Sequence, residues 1–266
     1  MKFLAFLKRD FLMALSYKLP FMMQLLGIFF SVFIFYYVSL FVNVGKNGLL
    51  EKYGGSYFTF LLVGIAFSDF FLTSTNSFAE EIRKGQLFGT LEALLTTPLS
   101  AVEILLYSSS YNYCFSAVRL LAYFIFGSIF LPLPIIKINF LLVSVVFLLS
   151  LLSFWGIGML SASFVMVFKQ SSPIKWLLGS ATGLLGGVFY PKEVLPDSLK
   201  IISNLLPITH AVEALRLTLL NRAGLGDIWH QIIALFFLSS IIFPLGIYSF
   251  KFGLKVAKQN GSLLHY

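Results

Sequence analysis

Charge, cysteine and catalytic motifs are scarce in this sequence, and each shortage excludes a class of protein. Charged residues make up 11% of the 266 residues, against roughly 25% in a soluble domain. Hydrophobic residues make up 58% and the mean hydropathy is +0.90, so a water-soluble fold of this length could not bury its apolar surface. The single cysteine, Cys114, excludes an internal disulfide framework. The composition therefore predicts a membrane protein.

The residues that would support catalysis are also missing. The sequence has no G-x-x-x-x-G-K-[ST] phosphate loop, no H-E-x-x-H zinc motif and no G-x-S-x-G nucleophile elbow. Its three histidines, at 210, 230 and 265, are scattered and lie outside the apolar runs. We therefore predict that the chain is not an enzyme and holds neither a metal nor a cofactor.

Six apolar runs are candidates for crossing a bilayer, which takes about 20 residues. They cover residues 19–42, 56–79, 104–131, 138–168, 174–189 and 232–250. We predict an all-α polytopic membrane protein in which residues 1–266 form a single transmembrane domain of six helices. The first 18 residues, 1–18, predict an amphipathic helix on the membrane surface.

The positive residues orient these spans. The net charge of +8 is not concentrated in a stripe suited to nucleic acid, because Lys and Arg lie at the ends of the apolar runs. One side carries eleven of them and the short loops of the other side carry only Lys46, Lys52 and Lys137. We predict a multi-pass protein of the cytoplasmic (inner) membrane, with both termini in the cytoplasm and no nucleic-acid partner.

An external segment, 190–230, precedes the last predicted span. Its two apolar stretches are too short to cross, and Glu213 and Arg216 have the i,i+3 spacing of a helical pair. We predict a helical hairpin that dips back into the outer leaflet, and the alternative is a cap lying flat outside. Its candidate site residues are Pro196, Pro207, His210, Glu213 and Arg216.

A cytoplasmic segment, 80–100, joins the second and third predicted spans. It reads EEIRKGQLFGTLEALLTTPLS, with leucines recurring on one helical face until Pro98 ends the helix. The pattern predicts an amphipathic helix with an apolar knob, and the alternative is a helix lying on the lipid headgroups.

This segment closely resembles the loop after the second span in type-2 permeases of ATP-binding-cassette exporters, which export drugs, Nod factors, and lipid-linked polysaccharides and teichoic acids. Gly89–Glu92 and Thr97–Ser100 carry its most specific part. The later run Phe154–Arg216, with GVFYPKEVLP and LLPITHAVEALR, resembles the fifth span and external hairpin of the same family. The resemblance covers nearly the whole chain.

The resemblance implies six-span permeases that dimerise, each docked on a separate ATPase subunit that binds ATP and Mg. The segment from about Glu81 to Leu95 would be the coupling helix in a cleft of the ATPase, and helix 1–18 would touch the same subunit. The residues implied in this contact are Glu81, Arg83, Leu87, Gly89, Thr90, Leu91, Glu92, Leu95 and Pro98.

Charged residues inside a bilayer are costly and mark candidate functional sites. Asp69 and Arg119 interrupt the second and third predicted spans at similar depths, and Asn76 and Asn112 lie on the same helical faces. We predict that the two polar faces meet and that Asp69 pairs with Arg119. The pair would either contact substrate or only fix the packing of the helices.

Small and aromatic residues suggest where helices meet. Gly179, Gly183 and Gly187 recur every four residues, which favours close helix packing within the subunit or across a dimer. In the family that the chain resembles, the first and fifth spans bound the dimer contact and the transport path. The residues thereby implied as pathway linings are Phe21, Phe29, Phe33, Phe189 and Tyr190.

The leading functional hypothesis is the transmembrane permease subunit of an ATP-driven exporter. It would form a homodimer in membrane lipid and move an amphipathic substrate, whether a drug, a lipid or a lipid-linked glycan, out of the cytoplasm or inner leaflet. One alternative is a secondary transporter or channel that works without an ATPase. Another is a membrane partner that anchors or regulates an ATPase and transports nothing.

Overall fold

The computed structural model describes residues 2–16, 18–42, 48–54, 56–131, 139–169, 173–221 and 223–259, and every regular element in these ranges is helical. Residue 138, where the fourth predicted span begins, lies outside them, as do Lys46, Lys137 and His265. The helices are α1 Lys2–Ser16, α2 Lys18–Val42, α3 Tyr57–Leu87, α4 Thr90–Leu95, α5 Ala101–Ser108, α6 Ser110–Phe130, α7 Phe140–Phe168, α8 Pro173–Leu185, α9 Asp197–Asn204, α10 Pro207–Leu220 and α11 Leu225–Gln259, with 3₁₀ turns at Gly48–Tyr53 and Lys192–Val194.

Five helical segments in the described ranges are long and apolar enough to cross a membrane. They are α2, α3, the combined α5–α6 segment Ala101–Phe130, α7 and α11. The fifth predicted span, 174–189, is not such a helix, because α8 has 13 residues and ends at Leu185. At about 1.5 Å per residue, α8 is roughly 20 Å long and falls short of the hydrocarbon core. The helix ends before Gly187, whose positive φ of 67° an L side chain rarely adopts.

Helix α3 is the centre of the bundle and packs against α2, α6, α7, α8 and α10. The end of the bundle at which α3 leads into α4 is called the α4 end below, and the opposite end, where α9 and α10 lie, is called the hairpin end. Large side chains of α3, including Phe60, Phe70 and Phe78, are fully buried. Their burial fixes α3 as the element against which the polar side chains of neighbouring helices are positioned.

The tightest helix contact joins α7 to α11. A Cβ added to Gly156 would lie 2.5 Å from the Ile242 carbonyl oxygen, and one added to Gly246 would overlap the backbone of Gly156. Gly179, by contrast, has nothing within 4 Å of its Cβ position, and the nearest atom to that of Gly183 is 3.5 Å away. Within the described part of one protomer, close helix packing is thus made by Gly156 and Gly246 rather than by Gly179 and Gly183, and packing of the α8 glycines across a dimer stays a prediction.

The predicted helix from Glu81 to Leu95 is two helices. Its first half continues α3, which runs unbroken to Leu87, and its second half is α4. The chain turns at Gly89, whose φ of 66° lies in the left-handed region that favours glycine. The next helix, α5, begins at a capping box formed by Ser100 and Glu103.

Candidate functional site

Asp69 and Arg119 face each other between α3 and α6. Nη2 of Arg119 donates to Oδ1 of Asp69, and both side chains are about one-fifth exposed. The predicted pairing of these two charges is therefore present in the structure. Because a lone charge at this depth would be costly, the pair also ties α6 to α3.

A polar cavity of about 450 Å³ lies beside this pair, towards the α4 end. Helices α2, α3, α6 and α8 line it, and its lining includes Asn76, Asn112 and Arg119, so it brings together three of the predicted intramembrane residues. Lys175 of α8 also lines it, with Nζ 3.0 Å from Oε1 of Glu80 on α3. The two polar faces predicted from helical spacing thus meet at one cavity.

Several further polar residues line this cavity without having been predicted as site residues, and two of them lie on helices other than α3 and α6. Gln24 of α2 and Lys175 of α8 both face it. Gln24 is the one polar amide in the otherwise apolar first span, and that isolation was the signal that could have identified it. Lys175 was interpreted only as a charge at the edge of a span. Its position at the cavity could not be predicted, because it depends on the packing of α8 against Glu80.

Of the aromatic candidates, Phe21 lines this cavity, whereas Phe29, Phe33, Phe189 and Tyr190 do not. Phe29 packs on Phe126 of α6 with ring centroids 5.6 Å apart, and Phe33 lies 6.1 Å from Phe130. Phe189 stacks on Phe35 of α2, and the hydroxyl of Tyr190 donates to the Leu184 carbonyl. Within one protomer these rings connect helices.

The α4 end exposes an apolar surface that differs from the predicted knob. Leu91 is only 4% exposed, because it packs against Gly85 of α3. Leu87 is 55% exposed and Phe88 is 77% exposed. Phe88 was not among the predicted contact residues, although in a single helix its spacing of three and seven residues from Leu91 and Leu95 would place it next to the leucine face.

The other predicted contact residues surround this surface. Gly89, Thr90, Glu92 and Pro98 are exposed, whereas Glu81, Arg83 and Leu95 are half-buried. Glu81 accepts a hydrogen bond of 2.8 Å from Lys84, and Nδ2 of Asn112 lies 3.5 Å from it. Phe88 and Leu87 therefore lie in a rim of polar groups, an arrangement typical of a protein contact surface.

A buried carboxylate organises the hairpin end. Glu213 of α10 binds Lys52 at 2.9 Å and Lys192 at 2.6 Å, so the i,i+3 pair predicted with Arg216 is not formed. Burial alone would raise the pKa of Glu213, but the two lysines hold it below its usual range. Burial would likewise lower the pKa of Lys52, yet its hydrogen bond and charge interaction with Glu213 raise it. The cluster connects the 3₁₀ turn after α2 to the hairpin.

Arg216 donates hydrogen bonds to backbone carbonyls of the segment that follows α8. Its guanidinium donates to the carbonyls of Phe60 at 3.0 Å, Gly187 at 2.6 Å and Val188 at 2.7 Å. The guanidinium carbon also lies 3.4 Å from the centroid of the Phe60 ring. Non-helical backbone at such a buried position needs internal partners, and Arg216 supplies them.

The remaining predicted hairpin residues have structural roles. Pro196 precedes α9 and Pro207 is the first residue of α10, where a proline costs no hydrogen bond. Nε2 of His210 lies 2.8 Å from the Asn204 carbonyl, between the two helices. Burial and the nearby charge of Lys192 lower the pKa of His210, so a neutral ring that donates to Asn204 is favoured.

Long apolar helices with paired charges and polar side chains between them define a multi-pass membrane protein. The sequence pattern of the ABC-2 type transporter family matches residues 1–220, and the chain belongs to that family. Its members are membrane components of transporters and normally pair with an ATP-binding subunit. No curated protein matches the chain.

Proposed function

We propose that this chain is the permease subunit of an ATP-driven exporter and that its α4 end docks on a separate ATPase subunit. The observation that carries this is the exposed apolar pair Leu87 and Phe88, with Glu92 beside it. Phe88 lies beyond the charged residues that end the apolar part of α3, so it faces water or headgroups rather than the hydrocarbon core. An exposed phenylalanine in such a rim favours a protein partner.

The proposed topology has six passes with both ends of the chain in the cytoplasm. At the α4 end, Lys175 of α8 pairs with Glu80, and at the hairpin end the Tyr57 hydroxyl donates to the Phe189 carbonyl at 2.9 Å. Tyr57 and Glu80 lie roughly 35 Å apart along α3, at about 1.5 Å per residue. The chain between Lys175 and Phe189 therefore follows α3 over that distance. Helix α8 and the segment after it would together make the fifth pass in chain order. The α9–α10 hairpin that follows would lie in the outer leaflet.

Helix α1 supports the same orientation. Phe6 of α1 lies 6.0 Å from the Tyr107 ring of α5, and Leu254 near the end of α11 packs in one cluster with Leu91. Both described ends of the chain therefore lie at the α4 end, where the positive residues predict the cytoplasm. In this arrangement α1 lies along the inner leaflet next to the docking surface.

Energy would come from the partner, since this chain has no phosphate loop. ATP and Mg would bind the ATPase subunits, whose closure would push on Leu87 and Phe88 and tilt α3. Because α3 carries Asp69, Asn76 and Glu80, that movement would reach the polar cavity directly. The cavity would be the cytoplasmic part of a path for an amphipathic substrate.

A second copy would complete the path. Among the described residues nothing lies within 4 Å of the Cβ position of Gly179 on α8, and Trp176 and Leu184 of the same helix are exposed. Small residues on an open face allow a close helix contact across a homodimer. In that dimer Phe189 and Tyr190 would lie next to the seam.

Affinity purification from native membranes tests the proposal. The wild-type chain should bring down a soluble subunit with a phosphate loop, and Phe88→Ala should reduce its recovery at least about tenfold, the loss of one exposed aromatic anchor. Phe236→Ala on the outer face of α11 is the matched control, because that side chain is also exposed and apolar. Purification of the chain alone, with transport driven by an ion gradient, would instead establish a secondary transporter.

A further inference from the structure

An apolar groove of about 840 Å³ lies on the outside of the bundle at the α4 end. Helix α1 forms one wall, and α2 and α6 form the others. Leu4, Phe11, Met22 and Val118 line it and are each about half exposed or more, so the groove opens on the outer surface of the protomer. Its volume lies in the range of small-molecule sites.

Two lysines are the charged residues among the described residues that line this groove. Lys8 of α1 and Lys18 at the start of α2 both lie on its lining and both are exposed, and no acidic side chain lines it. An apolar trough with a cationic rim complements a molecule that has a hydrocarbon tail and an anionic head.

The groove and the polar cavity are separated by a shared aromatic wall. Phe21, Tyr111 and Phe115 line both spaces. Phe21 of α2 lies 5.7 Å from Phe115 of α6, and Tyr111 stacks on Phe115 at 5.9 Å with an interplanar angle of 7°. These aromatic side chains of α2 and α6 therefore lie between the two spaces.

The cavity side of the wall offers hydrogen-bond donors for an anionic head. Arg119 lines the cavity one helical turn beyond Phe115, and its buried Nε–H has no hydrogen-bond partner in the described part of the chain. Asn112, Asn76 and Lys175 line the same space, and so does Glu80, which pairs with Lys175. Guanidinium, amide and ammonium donors that line one space suit phosphate or carboxylate oxygens.

We propose that the groove and the cavity form one binding site for an anionic amphiphile of the inner leaflet, such as a phospholipid or lysophospholipid. The acyl chain lies in the groove against α1, and the headgroup passes from Lys8 and Lys18 between α2 and α6, past Phe21 and Phe115, into the cavity. The proposal rests on the proposed function as an export permease and names the substrate class and its lateral route.

The rate at which Cys114 is modified reports whether a lipid occupies the groove. Cys114 is the one cysteine in the sequence, is exposed and lines the groove. The purified full-length protein in phosphatidylcholine nanodiscs is treated with a fluorogenic maleimide, with lysophosphatidylglycerol or lysophosphatidylcholine of the same chain length added. The anionic lipid should slow modification of Cys114 by about fivefold or more, the effect of a lysine–headgroup attraction, and the zwitterionic lipid by less than about twofold.

The Lys8→Gln/Lys18→Gln double variant should lose the difference between the two lipids. Lys251→Gln/Lys255→Gln is the matched control, since both lysines are exposed near the end of α11 but do not line the groove. Equal protection by both lipids, or anionic protection that survives in the Lys8/Lys18 variant, would overturn the site.

The lateral route has its own measurement. Lysophosphatidylglycerol with a photoreactive diazirine on the headgroup is crosslinked and the adducts are mapped by mass spectrometry. The route predicts adducts on α3 at Thr73–Asn76, and more of them in Phe115→Ala than in the Phe236→Ala control. Adducts confined to α1 and the start of α2 would mean a resident surface lipid and would refute the passage into the cavity.

These experiments need no ATPase. Failure of lipid protection together with recovery of an ATPase would refute the substrate class and leave the exporter intact. Protection of Cys114 without any ATPase partner would refute the exporter and leave the lipid site.

Discussion

Replacing Arg216 with methionine should open the segment between α8 and α9. The guanidinium makes three hydrogen bonds to backbone carbonyls, one on Phe60 and two at Gly187 and Val188. Hydrogen bonds to a charged group are worth roughly 1.5–3 kcal/mol each. Methionine keeps the apolar stem but supplies no donor, so all three carbonyls would be left unsatisfied in the bundle.

The net loss is smaller than the sum of three bonds. Removing the guanidinium also removes the cost of burying its charge, which is several kcal/mol. We therefore expect a loss of at least roughly 2 kcal/mol, equivalent to a fall in the melting temperature of about 4–8 °C. Hydrogen–deuterium exchange should speed up at residues 186–190, because that backbone loses its partners.

The control for this variant is Lys200→Met in the same hairpin. Lys200 pairs with a fully exposed Asp197 at 2.9 Å, and exposed pairs contribute little. Melting is followed by gel filtration of the heated, detergent-solubilised protein. If Arg216→Met melts within about 1 °C of wild type and exchange at 186–190 is unchanged, the structural role assigned to Arg216 is wrong.

Three further predictions concern other contacts. Reversing either Asp69 or Arg119 alone should cost roughly 3–5 kcal/mol and abolish stable expression, whereas reversing both should restore it; loss in the double variant equal to the single losses would contradict the pairing. Gly246→Ala should destabilise the α7–α11 contact by roughly 1–3 kcal/mol, while Gly226→Ala, with open space around it, should melt like wild type. Glu213→Gln should lower the melting temperature at pH 7; because the folded pKa of Glu213 is depressed below 4.5, wild type should lose this advantage as the pH falls below that value, and a constant difference in melting temperature from pH 7 to 3 would exclude the ion-pair explanation.

Much of the fold follows from local sequence. Five of the six predicted spans are present as long helices, because a mainly apolar run of about 20 residues has few alternatives to a helix in a bilayer. The fifth predicted span, 174–189, is not one long helix, because the chain turns at Gly187. Hydrophobicity alone does not predict such a turn. The span's chain direction beside α3 is decided by partners distant in sequence, Glu80 and Tyr57.

The candidate site divides in the same way. Asp69 and Arg119 were predictable as a pair, since two opposite charges at one depth in neighbouring spans have no cheaper arrangement. The roles of Leu91 and Phe88 were not predictable, because both depend on the break at Gly89. The partners of Glu213 were not predictable from helical spacing either. The i,i+3 spacing favoured Arg216, whereas the folded chain brings Lys52 and Lys192 to the carboxylate.

The sequence by itself determined that this is a membrane protein, which charges orient it in the bilayer, and to which family it belongs. These are properties of composition and of short windows, which no tertiary contact can alter. Only the tertiary structure decided which side of α4 is exposed, which carbonyls Arg216 satisfies, and that a lysine-rimmed groove meets a polar cavity at Phe21 and Phe115. Each of these depends on helices that are far apart in the chain, and their mutual placement is set by packing against α3.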